Sequence, residues 1–193
     1  MVDKEEVQET IVDVARRIFS KFGFKKTTMN EIANAHGKGK SSIYYYFASK
    51  EIIFQAVVEK EAAILNQELL KATSDADSPT MKLKMHVIVR MHAVEKLANY
   101  YSAIKDEYLS HLDFIEKIRK KSDQEEIQMM ENILKEGVEK GIFDINDISL
   151  AAIAIVTALK GMEVPLFWGG EEKNVDRRLE NLIHILFNGV MTR

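Results

Sequence analysis

Apolar residues recur every three or four positions along almost the whole chain, the period of a helix with one buried face. Val7, Ile11, Val14, Ala15, Ile18 and Phe22 form the first such stripe and predict a helix that stops near Gly23. Thr27 or Thr28 caps a short second helix from Met29 to Ala35, ended by Gly37. A third, Lys40 to Tyr46, follows after only a few residues, and Ser49 caps a fourth over about 50–72. The polar stretch 73–79 is the clearest break, and within it Ser78-Pro79 suits the cap and first turn of a new helix. Beyond it the spacing predicts helices over about 79–101, 103–120 and 122–140, the last closed by Gly141. Asp147 then caps a helix from Ile148 to Val164, which Pro165 ends, and Asn174 caps a final one to about Met191. The aromatic run at 43–47 is too short and isolated to build a sheet. The pattern predicts an all-α protein of about nine helices.

Composition narrows the class. With 193 residues and 46% apolar positions the chain can fill one sizeable domain or two small ones, and it is too apolar to be disordered. There is no cysteine, hence neither a disulfide framework nor a thiolate metal site. The longest apolar stretch, Leu150 to Leu159, is about half a membrane span. The opening MVDKEEVQET lacks the apolar core of a signal peptide. A soluble cytoplasmic protein with no membrane partner is the expectation.

The net charge of −3 hides an asymmetry. Between Val14 and Lys50 stand Arg16, Arg17, Lys21, Lys25, Lys26, Lys38, Lys40 and Lys50 against a single acid, Glu31. That window carries +7, so the remainder of the chain carries −10. A charge run is often only a solvated face. A basic module on an acidic body is also the electrostatic footprint of a nucleic-acid reader.

The helix layout favours the second reading. Two short helices joined by a tight turn, inside a unit of four, form a helix-turn-helix. In that arrangement the first short helix braces the second, whose N-terminal residues enter a major groove about 12 Å wide. Here that N-terminus reads Gly39-Lys40-Ser41-Ser42, small and basic.

The segment TTMNEIANAHGKGKSSIYYYFASKEIIFQAV, Thr27 to Val57, resembles the DNA-binding domain of the TetR family of bacterial regulators. The resemblance rests on Thr27-Thr28, Glu31-Ile32-Ala33, Gly37, Ile43-Tyr44-Tyr45, Phe47 and Ser49-Lys50-Glu51, with Ala15, Phe19 and Phe22-Gly23 before them. It spans roughly residues 5–60 without a gap. It implies an all-helical homodimer in which residues 1–50 read DNA, helix four over about 50–72 connects, and 51–193 bind a small effector and dimerise. Carried over by position, Thr28 and Lys50 meet phosphates, Lys40, Ser41 and Ser42 face bases and flanking phosphates, and Tyr44 and Tyr45 offer phenols to the backbone. With Thr27 and Gly39 these make up the candidate DNA-contacting set. Ile32, Ala33, Ile43 and Phe47 are the module's core. Successive helix residues point about 100° apart, so Tyr44, Tyr45 and Tyr46 cannot all face DNA. The family's pattern is departed from at Lys38, Gly39 and Ser41, which make the turn more basic and more flexible.

Other motifs lead nowhere. Gly39-Lys40-Ser41 imitates the end of a phosphate-binding loop, yet residue 34 is Asn where that motif needs Gly, and a helix precedes it. Histidines 36, 86, 92, 111 and 184 show no metal-ligand spacing, and there is no nucleophile elbow. Neither metal, cofactor nor catalysis is expected.

In the body, helix 148–164 offers Ala151, Ala152, Ile155, Ala158 and Leu159, and helix 175–191 offers Leu179, Leu182, Ile183, Leu186 and Phe187. The resemblance implies that these two helices pair with their mates in a four-helix dimer interface. Met85, Val89, His92, Tyr101, Tyr108, Met129, Met130 and Trp168 are the candidate ligand-binding residues, an adaptable apolar set with polar tips. The expected function is a dimeric DNA-binding regulator, a repressor released from two operator half-sites by a small apolar or amphipathic molecule. The alternative is a DNA-bound occlusion or scaffold protein that works through partner contacts without an inducer.

Overall fold

The structure, a computed structural model, describes residues 4–97, 99, 100, 102, 113–167, 177, 180, 181 and 183–185. Among these there is helix and turn but no strand, so the all-α expectation holds. Seven helices carry the description: α1 (Lys4–Phe22), α2 (Met29–His36), α3 (Lys40–Tyr46), α4 (Lys50–Ser74), α5 (Pro79–Lys96), α6 (Asp113–Glu139) and α7 (Ile148–Phe167). The described residues from 177 to 185 are also helical. Two compact units result, and they are not linear in sequence. One holds 1–64 with 97–120, the other 65–96 with 121–193.

The first unit is built around α1–α3. Ile11, Ala15 and Phe19 of α1, Ile32 and Ala33 of α2, Ile43 of α3 and Phe54 and Val57 of α4 are all buried. Phe19, Phe24 and Phe54 close on one another, with ring centroids 5.8, 5.1 and 4.8 Å apart. Each such pair adds about 0.5–1.5 kcal/mol beyond the area it buries. In the second unit Leu83, Met130, Ile133, Leu134, Ala152 and Val156 form the core, with Phe143 and Ile148 packed against it. The Phe143 ring lies directly on the backbone of Gly137, where any Cβ would collide with it.

Three boundaries differ from the periodicity. The expected helix over 79–101 ends at Lys96. The Tyr100 amide is captured at 2.8 Å by the buried carboxylate of Glu61, so it cannot continue the ladder. The expected break near residue 121 is absent, and α6 runs through it. No Gly or Pro interrupts 113–136, and Lys121 and Glu125 pair across one turn. Pro165 does not end α7 either. A helical proline removes the bond to the carbonyl four residues earlier, and that residue is Gly161, on an exposed turn where water can take the freed acceptor.

Candidate nucleic-acid interface

The helix-turn-helix is assembled by local hydrogen bonding. Thr28 starts α2 with a capping box: its hydroxyl accepts from the Glu31 amide at 3.3 Å, and Glu31 Oε2 accepts from the Thr28 amide at 2.7 Å and its hydroxyl at 2.9 Å. Gly37 ends α2 in the left-handed region, φ 74°, and the Lys38 amide returns to the Ala33 carbonyl at 3.1 Å. Only glycine adopts that conformation without strain. Gly39 then begins α3 with no side-chain cap.

α3 is anchored from beneath by Ile43 and Phe47, both buried. The opposite face is open. Lys38, Gly39, Lys40 and Ser41 are exposed and Ser42 half-buried. Tyr44 is 44% and Tyr45 71% exposed, while Tyr46 is half-buried and meets Tyr45 edge-on at 5.0 Å. Lys40 Nζ lies 5.8 Å from the Tyr44 ring centroid, and Lys4 Nζ lies 5.4 Å from that of Tyr45. The surface thus offers ammonium groups and phenols, donors that suit a polyanion.

Three residues expected to touch DNA also make internal hydrogen bonds. Thr27 is 1% exposed, and its hydroxyl donates to the Gly23 carbonyl at 2.8 Å. Thr28 is exposed, and its hydroxyl donates to Glu31 Oε2 and accepts from the Glu31 amide as the cap. Lys50 donates to the Phe24 and Thr27 carbonyls at 2.8 and 2.9 Å and lies 4.1 Å from the Phe24 ring centroid. Its ammonium holds the α1–α2 loop.

α1 frames this surface. Gln8 Nε2 donates to the Tyr46 carbonyl at 3.4 Å. Thr10 gives its hydroxyl proton to the Val7 carbonyl, so at 3.0 Å it accepts from His36 Nε2. Burial, and then the Lys38 charge, hold the His36 imidazole below its ordinary pKa, consistent with that single-proton tautomer. The sequence reading missed α1 as a framing element. Its signal was present: Lys4 and Gln8 extend the stripe Ile11-Ala15-Phe19 that faces the module.

The other candidate residues belong to the second unit. A cavity of about 520 Å³ lies between the end of α4 and α5, with Ala72, Ile88 and Val89 as apolar lining and Lys71, His92 and Lys96 among its polar groups. Of the expected ligand-binding residues Val89 and His92 line it. Met85 and Met129 are half-buried outside that lining, and Met130 is fully buried in the core. Tyr101, Tyr108 and Trp168 lie outside the described residues.

On α7 the chosen face is largely the inner one. Ala152 and Leu159 are buried, and Ala151 and Ile155 pack on the core, leaving Ala158 exposed. The outward stripe is Leu150, 64% exposed, Ile153, 44% exposed, then Ala154, Thr157, Ala158 and Gly161. Ile183 is buried and Ile185 exposed, while Leu179, Leu182, Leu186 and Phe187 lie outside the described residues. Among the described residues no cluster could hold a metal ion, and no helix is long and apolar enough to cross a membrane.

Comparison with known proteins adds the family. Residues 11–57 match the family of bacterial regulatory proteins called tetR, and residues 78–192 match the QacR-like C-terminal region. The transcriptional regulator AcrR of Shigella flexneri is 30% identical over 70% of this chain and 67% of its own. A TetR/AcrR-family regulator from Thermobifida fusca superposes with a TM-score of 0.80 at 20% identity, over 96% of this chain and 98% of its own. The regulator FadR of Bacillus subtilis, solved with stearoyl-CoA, gives 0.76 at 16% identity over 95% and 99%. These relatives are regulators of transcription and not enzymes. By its reading module and by its body alike, the chain belongs to the TetR family of helix-turn-helix transcriptional regulators.

Proposed function

We propose that the protein is a homodimeric repressor that holds two operator half-sites through α3 and lets go when a small amphipathic molecule enters its second unit. By role the chain divides near residue 50, with 1–50 as reader, α4 as connection and 51–193 as effector-binding and dimerising body. The observation that carries the reading is the two-sided character of α3. Ile43 and Phe47 fix it to the core, while Lys40, Ser41, Tyr44 and Tyr45 stand outward with Ser42 at the edge. Base edges fall to Lys40, Ser41 and Ser42, with Gly39 permitting close approach, and phosphates fall to Tyr44 and Tyr45.

The exposed apolar stripe on α7 supports self-association, since water-facing Leu150 and Ile153 gain by being covered. A two-fold dimer sets its readers on half-sites about 34–36 Å apart. The α4–α5 cavity, apolar between charged groups, supports an effector with a long apolar part and a polar head. The stearoyl-CoA bound to the Bacillus subtilis protein is a molecule of that type. Release requires the effector to prefer the conformation that does not fit the operator, because equal binding to both shifts nothing.

Fluorescence anisotropy tests this, using DNA from upstream of the protein's own gene beside a scrambled duplex over a salt series. Tight, selective binding with a steep salt slope is expected, lost on adding a long-chain acyl-CoA as first probe. Weak binding, equal on both duplexes, overturns the operator reading. Selective binding that no amphipathic effector relieves overturns the release mechanism alone.

A further inference from the structure

We infer that the first turn of α1 is a further part of the DNA-contacting surface, with Lys4 meeting a backbone phosphate beside the one that Tyr45 contacts. This rests on the regulator reading and extends it to a residue outside the family match over 11–57. Lys4 is exposed, and its ammonium stands 5.4 Å from the centroid of Tyr45, the most exposed large aromatic side chain on α3. A cation over a ring keeps its N–H donors available to an anion at the ring's edge. The position is not an accident of a loose end. Gln8, one turn on along the same face, is bonded to the Tyr46 carbonyl at 3.4 Å, and Thr10 to His36 at 3.0 Å. Those bonds tie α1 to the carboxyl ends of α3 and α2, so the first turn of α1 is held beside the reading helix.

Charge complementarity points the same way. Lys4 adds a positive charge beside Tyr45, as Lys40 does beside Tyr44. The acids of the same turn, Glu5 and Glu6, sit about 100° and 200° farther round the helix. There they favour the positive end of the helix dipole. The partner is therefore the sugar–phosphate backbone flanking the bases that α3 reads, and Lys4 adds affinity without sequence preference.

The test is a salt series on the full-length protein with Lys4→Ala, Lys4→Arg and, as a remote control, Lys84→Ala on an exposed turn of α5. Lys4→Ala is expected to weaken operator and scrambled duplex alike, by about three- to tenfold at low salt, and to lower the slope of log K against log salt by about 0.9. Lys4→Arg keeps the parent's slope, and Lys84→Ala changes nothing. Combining Lys4→Ala with Tyr45→Phe gives a loss smaller than the product of the two, because both contact adjoining phosphates. A Lys4→Ala protein with the parent's slope overturns the inference alone. A parent with no salt-dependent DNA binding overturns the regulator reading and this inference together.

Discussion

The helix-turn-helix module and the α5–α6 pair bury their helices with different materials. Around α1–α3 the interior is apolar and aromatic, and the threonines that open α2 are satisfied close by in sequence. The Thr27 hydroxyl reaches back four residues and the Thr28 cap forward three. Between α5 and α6, as at Glu61 beside Arg16 of α1, charge itself is buried: Glu126 Oε1 takes His86 Nε2 at 3.1 Å and Arg90 Nε at 2.8 Å, from 40 and 36 residues away. Their outer faces differ too. α3 presents ammonium and phenol groups, whereas α7 presents Leu150 and Ile153. A module that exchanges water and counterions for a polyanion needs a rigid frame beneath a polar face. A body that closes on its own copy, as proposed for this one, needs an apolar one.

The contrast in outer faces is broken most directly by Ile153→Arg. A buried, unpaired cation in the proposed interface should reduce the mass in light scattering from twice 22.1 kDa to 22.1 kDa. Losing the second half-site then costs operator affinity about 10²–10⁴-fold, roughly 3–5.5 kcal/mol. A dimer of unchanged mass would mean that α7's outward stripe is not the interface.

The contrast in cores is tested by Glu126→Ala. Removing one partner of a buried ion pair costs about 3–5 kcal/mol, read in urea unfolding at pH 7. The pH dependence has a definite sign. Burial pushes the Glu126 carboxyl up, but the Arg90 charge and the hydrogen bonds from His86 and Arg90 outweigh it and hold the group below its ordinary 4.5. A depressed folded-state pKa stabilises above the unfolded value and is lost as pH falls through the folded one. The parent should therefore lose stability below about pH 4.5, and Glu126→Ala should show a flatter acid limb. An acid limb unchanged by the substitution would place the acid sensitivity elsewhere.

How much of this the sequence made legible follows the same divide. The bounds of α1, α2 and α3 were readable because their caps lie within a few residues: Gly23, the Thr28–Glu31 box and Gly37. The end of α5 was not, since the group that captures the Tyr100 amide is Glu61, 39 residues earlier. The outward side of α7 was hidden for another reason. Both of its faces are apolar, with Ala151, Ala152 and Ile155 on one and Leu150, Ile153 and Ala154 on the other, so spacing alone cannot choose between them. On α3, Lys40, Tyr44 and Tyr45 are exposed, as the proposed reading role requires. The internal bonds of Lys50 are not legible in the sequence, because the carbonyls it meets are 26 and 23 residues away.

Lys50 offers a sharper cut than a general loss of function. As a loop-holding cation, its replacement by Ala should cost about 1–3 kcal/mol of stability, the range for hydrogen bonds to a charged group. DNA binding then weakens on every duplex because α2 and α3 are less well held. The salt slope stays that of the parent. A phosphate contact would instead lower the slope by about 0.9 and leave stability nearly unchanged, and that outcome would place Lys50 in the interface.

The smallest effect probes the join between frame and face. Gly39 begins α3 with extended backbone, φ −66° and ψ 152°, and no side chain to accept the first amides. Serine suits that geometry, and a Cβ there meets nothing nearer than Ser41 Oγ at 3.9 Å. Gly39→Ser should therefore stabilise the module by only a few tenths of a kcal/mol. Hydrogen exchange at Ser41, Ser42 and Ile43 should slow correspondingly. Operator affinity, however, should fall if the DNA backbone comes as close to residue 39 as the proposed reading requires. Slower exchange with undiminished affinity would show that α3 lies farther from DNA at its first turn, leaving Tyr44, Tyr45 and Lys4 to carry the contact.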